Sequence, residues 1–249
     1  MLTRALAGVA LAGAFVIATS MPAAAAPADS VRDQQQWVLN MLDVPSAWSV
    51  SEGANVTVAV IDSGVNPDVS DLEGAVISGS NFTALSTSTG NPHWGQHGTW
   101  MASIIGGRGN GDDDGIIGVA PESKILSIRV IPDMNDPGYK QYDREPESQI
   151  QDELAEGIRE AVRDHAQVIS MSIGYSAPSG VVRSAIQYAY AHGVVLVASS
   201  GNSGDNDTQH ARHQRAGRTG AVDGVVQPVP ALGGHPLARR RHLDREVVA

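Results

Sequence analysis

Three side chains stand where a chain of this pattern could assemble an acyl-transfer site. Asp62 follows the run 56–61 in V-A-V-I-D-S-G-V-N, and His97 lies in G-Q-H-G-T-W-M-A-S ahead of an apolar stretch. Asn202 lies in A-S-S-G-N-S-G, just past the run 194–198. A carboxylate beside an imidazole fixes its tautomer and stabilises the imidazolium, so that the imidazole can take a proton from a nucleophile. An amide can donate a hydrogen bond to the oxyanion that develops next. Each residue alone has a plainer use: an Asp after a strand forms turns, a His before a helix caps it, and Asn beside Gly adopts the left-handed turn conformation. Their joint placement is what points to chemistry.

The elements that must position them alternate. Residues 56–61 (V-T-V-A-V-I) are β-branched and apolar, as in a strand buried on both faces. Residues 99–105 form a short apolar helix ending at Gly106-Gly107, and residues 124–131 read as the next strand. Ser148 with Gln151 three residues on reads as a capping box for a helix repeating apolar residues at Ile150, Leu154, Ile158 and Val162. Residues 168–172 follow as a strand, 181–192 as a helix capped by Ser179, and 194–198 as a further strand. This alternation predicts an α/β fold, a parallel sheet flanked by helices, with functional residues at the carboxyl ends of the strands. Residues 106–115 and 132–147 are polar and read as surface loops. The glycines at 106–111 follow a helix rather than a strand, so they lack the context of a dinucleotide-binding fingerprint.

Together, V-A-V-I-D-S-G-V, H-G-T-W-M-A, V-I-S-M-S-I-G and S-S-G-N, in this order, resemble the subtilisin-like serine protease family over about residues 46–204. The resemblance implies a three-layer subtilisin-like fold, here incomplete at its C-terminal end, and a peptide hydrolase. It implies that Asp62 is the triad acid, His97 the triad base and Asn202 the oxyanion-hole donor. Ser172, Ile173 and Gly174 would be the segment whose backbone pairs with an extended polypeptide substrate, a β-addition mode of binding.

The family's closing Gly-Thr-Ser-x-Ala motif, which carries the nucleophile, is absent from these 249 residues. The last serine is Ser203, in G-N-S-G-D beside Asn202, and it lacks the second glycine of a nucleophile elbow. Texture changes nearby. Residues 1–207 carry 10 basic and 24 acidic side chains, whereas residues 208–249 carry 7 Arg, no Lys and 3 acids. The latter stretch shows neither strand alternation nor a helical stripe. Two readings stand: out-of-frame text after a frameshift near codons 205–210, or a genuine basic tail for an acidic partner. The chain therefore reads as a catalytically incomplete endopeptidase, with a peptide-binding pseudoprotease as the rival. His210, His213, His235 and His242 in that tail match no zinc spacing.

Composition narrows the rest. The formal net charge is −10, which disfavours a nucleic-acid partner. Cysteine is absent, excluding disulfides, thiolate metal sites and a cysteine nucleophile. Arg4, the apolar run 5–19 and small residues at 22–28 read as a secretory signal peptide, giving a secreted product with no stable membrane span after cleavage. The organisation expected is signal peptide 1–28, arm 29–45, partial catalytic domain 46–207 and Arg/His-rich tail 208–249. No cofactor is called for. Calcium is a habit of the family, but Asp112-Asp113-Asp114 is read as a solvated loop, because consecutive carboxylates diverge.

Overall fold

The computed structural model describes residues 30–109, 114–174 and 179–199. Its centre is a five-stranded parallel sheet: β1 (Thr57–Asp62), β2 (Val76–Asn81), β3 (Lys124–Arg129), β4 (Val168–Met171) and β5 (Val195–Ala198), in the order β2-β3-β1-β4-β5. β1 is the middle strand. It pairs with β3 from Thr57–Lys124 to Asp62–Arg129 and with β4 from Val58–Val168 to Val60–Ser170.

Side chains alternate across a strand, and β1 shows this cleanly. Val58 and Val60 enter one core with Val65, Leu72, Ala75, Ala102 and Ile125. Ala59 and Ile61 enter the other with Leu126, Ile128, Leu154, Ile158 and Ile169. The first face is covered by α3 (Gln96–Gly106), which packs on β1 and β3. The second is covered by α5 (Glu147–Arg163) and α6 (Gly180–Ala191), which also pack on each other. The three-layer α/β architecture expected from the alternation of elements is therefore present.

Some local expectations change. The arm before the sheet is helical: α1 (Val31–Met41) and α2 (Val44–Trp48). Ser30 and Asp33 form a reciprocal capping box on α1, and Gln35 and Ile117 exchange hydrogen bonds, tying α1 to the 115–117 loop. The stretch 132–147 is not all loop, since it contains α4 (Tyr139–Tyr142) and the start of α5. The capping box read at Ser148 and Gln151 does not form. α5 begins at Glu147 behind Pro146, with no side-chain cap, so Ser148 is already inside the helix. Gln151 instead accepts the Ser179 backbone N–H at 2.6 Å, joining α5 to the start of α6. Ser179 caps α6 as expected, accepting from the Val182 N–H.

Candidate active site

Strand parity decides where Asp62 points. It continues the series Val58, Val60, Asp62, so its side chain leaves the carboxyl end of β1 on the α3 side of the sheet. There it is fully buried. His97 lies within the first turn of α3, not ahead of the helix as the sequence suggested, and meets it. The imidazole Nδ1 lies 2.8 Å from Asp62 Oδ1 and 3.0 Å from Oδ2. An ionised carboxylate can only accept, so this contact fixes the Nδ1–H tautomer and leaves Nε2 for other partners. Asp62 Oδ1 also accepts the Ser63 N–H at 2.7 Å. Burial pushes the Asp62 carboxyl above its ordinary value, and the hydrogen bonds from His97 and Ser63 oppose that rise. His97 keeps 39% of its side chain exposed, so the pair is an acid sealed beneath an accessible base.

The loop after β1 and the first turn of α3 are stitched together. Ser63 Oγ accepts the Gly98 N–H at 3.0 Å, and Thr99 Oγ1 accepts the Asn66 N–H at 2.9 Å. Gly98 lies so close to the Gly64 carbonyl that no β-carbon would fit. Gly64, at φ +96°, carries the Trp94 indole over the place where its own side chain would be. That close approach brings His97 within reach of the strand end.

Two further groups went unrecognised in the sequence. The N-cap of α3 is Gly95, in the left-handed conformation (φ +66°), and it offers no side chain. Asp133, from the loop after β3, takes that part: its carboxylate accepts the Gln96 N–H at 2.7 Å and the His97 N–H at 3.0 Å. Arg129 is the β3 neighbour of Asp62 and is 1% exposed. Its guanidinium donates to Asp136 Oδ2 at 3.0 Å rather than to Asp62, and lies 5.2 Å from the centre of a Trp94 ring. The parity of β3 could have placed Arg129 on the Asp62 face. No sequence spacing links Asp133 to His97.

Ser172, Ile173 and Gly174 leave the carboxyl end of β4, beside β1. Ile173 packs against the α5–α6 core, and among the described residues nothing lies within 4 Å of where a Gly174 β-carbon would be. Asn202 and Ser203 lie outside the described residues, as do Asp112, Asp113 and the four tail histidines. Among the described residues no helix is long and apolar enough to cross a membrane.

A family model described as the subtilase family matches residues 53–227, past the change of texture at 207. The minor extracellular protease Epr of Bacillus subtilis is 34% identical over 71% of this chain and 25% of its own length. The intracellular serine protease of Paenibacillus polymyxa is 31% identical over 76% of this chain and 53% of its own. Thermitase of Thermoactinomyces vulgaris is 31% identical, over 72% and 59%. The chain thus spans between a quarter and about three fifths of these relatives. Among solved structures, MycP1 from Mycobacterium smegmatis superposes with a TM-score of 0.54 at 31% identity, covering 69% of this chain and 46% of that one.

Proposed function

The chain belongs to the subtilase family, and from that premise we propose that it carries the acid and the base of an exported serine endopeptidase site. The observation that supports this most is the buried Asp62 carboxylate, 2.8 Å from an accessible imidazole at the carboxyl edge of the sheet. In this reading Asp62 orients His97 and stabilises its imidazolium. His97 Nε2 takes the proton of a serine hydroxyl as that oxygen attacks the peptide carbonyl, then delivers it to the departing amine. Water hydrolyses the acyl-enzyme with His97 again as base. The backbone of Ser172–Gly174 pairs with the extended peptide, and the Asn202 amide donates to the oxyanion. The apolar run 5–19 behind Arg4 directs the chain out of the cell.

The 249 residues hold no Gly-Thr-Ser-x-Ala motif, and on this reading they do not by themselves hydrolyse peptides. In subtilisin, loss of the serine costs about 10⁶ in kcat. Two accounts follow: truncation with a frame change near codons 205–210, or a pseudoprotease that binds peptides without cutting them. The intact Asp62–His97 geometry suits the first, since binding alone does not need it.

The decisive experiment reads the coding DNA from codon 195 onward in all three frames. The first account expects Gly-Thr-Ser-x-Ala in a neighbouring frame, and a frame-restored chain that a fluorophosphonate probe labels, with labelling abolished by His97→Ala. The 249-residue chain itself should stay unlabelled, and labelling of it would overturn the incomplete-site reading. If no frame holds the motif, the pseudoprotease account is the one left, and a folded chain without affinity for extended peptides would overturn that too.

A further inference from the structure

The helix that carries the base lacks a cap of its own, and the missing function comes from a distant loop. We infer that Asp133 is a positioning residue for His97, and that the buried Arg129–Asp136 pair fixes the loop from which it acts; this rests on the reading of Asp62 and His97 as acid and base.

The first backbone N–H groups of a helix have no partner within it. A Ser, Thr, Asp or Asn at the N-cap normally accepts from one of them. Gly95 cannot. The Asp133 carboxylate accepts from two, Gln96 and His97 itself, and places a negative charge at the positive end of the helix. The His97 backbone is therefore gripped on its N–H by Asp133 while its ring is gripped on Nδ1 by Asp62. Two carboxylates, one ending β1 and one in the loop after β3, hold the ring and the backbone of one residue.

Asp133 is held in turn. Its carbonyl accepts the Asp136 N–H at 2.9 Å, closing a turn. Asp136 is 4% exposed; its Oδ1 accepts the Gly138 N–H and its Oδ2 accepts from the Arg129 guanidinium. Arg129 ends the strand that lies beside Asp62. The loop bearing Asp133 is thus tied to the same sheet edge that bears the acid, so helix and strand share one frame of reference.

The test is proton NMR and amide exchange on the 249-residue chain, in the wild type and in Asp133→Ala and Asp133→Asn. The wild type should show a low-field Nδ1–H resonance from His97 bonded to Asp62, which Asp62→Ala removes. Asp133→Ala should broaden or lose that resonance and speed exchange of the Gln96 and His97 amides by about tenfold or more, leaving Val60 and Ile61 in β1 protected. Asp133→Asn, which keeps the shape and one good acceptor, should fall between. If Asp133→Ala leaves the resonance and both amides unchanged, or if protection falls equally in β1, the positioning role is overturned. A wild type that is folded but lacks the resonance would instead overturn the Asp62–His97 reading, and the two failures are separable in one data set.

Discussion

At Gly98 the absence of a side chain is what lets an acid on a strand and a base on a helix meet. A β-carbon there would collide with the Gly64 carbonyl and sit 3.2 Å from the Asp62 β-carbon. The Gly64 carbonyl belongs to a loop fixed by hydrogen bonds to Ser127 and Thr99, and Asp62 ends β1, so neither can swing aside. Gly98→Ala should therefore destabilise the chain by about 1–3 kcal/mol, the usual range for overpacking a tight site. Urea unfolding measures this, and a midpoint equal to that of the wild type would contradict the close approach. Asp62 and His97 were legible because their motifs are short and contiguous. Asp133 was not, because a carboxylate that caps a helix from a different loop leaves no local pattern.

Helix α5 shows how a correct element can hide a wrong end. Its apolar residues at Leu154, Ile158 and Val162 recur at helical spacing and all are buried, so the helix was readable. Its start was not, because Ser148 and Gln151 have capping types but are the second and fifth residues of the helix. The edge strand β2 was missed for a different reason: Val76–Asn81 is half-polar, with two residues half-buried and four exposed, and lacks apolar alternation. The same α5 buries Glu153, whose Oε1 accepts from Gln149 while Oε2 has no partner among the described residues. Burial, aided by the neighbouring Glu145 charge and opposed by the Gln149 hydrogen bond, pushes its carboxyl up to about 7 from 4.5. The folded chain then holds this proton more tightly than the unfolded chain. Its contribution to stability is greatest below 4.5 and is lost as pH rises toward about 7. Glu153→Gln should raise the melting temperature at pH 8 and leave it nearly unchanged at pH 4. An equal effect at both values would mean that Glu153 does not titrate in this window.

Across the whole molecule, the acidic balance and the α/β alternation were readable from composition and pattern, whereas the outer surface of the base-bearing helix was not. Trp100 and Ile104 are exposed on α3, and the Ile104 carbonyl accepts the N–H of exposed Val119. Val119 in turn accepts from the Trp48 indole, which sets Ile104, Val119 and Trp48 near one another beside the arm. Large apolar areas on a folded surface bind apolar probes. The folded chain should enhance the fluorescence of an anilinonaphthalene dye, and Ile104→Lys with Val119→Lys should reduce that signal without altering far-ultraviolet circular dichroism. An undiminished signal would place the dye elsewhere. The strand order has a different consequence, one of timing. Thr57 lies beside Lys124, and Val58 beside Val168. No strand of this sheet can be closed by a hairpin, and the central strand has both neighbours only after residue 168 has left the ribosome. Ladders between distant segments form slowly. The chain thus spends much of its synthesis without a finished core, a state in which a chaperone would find it.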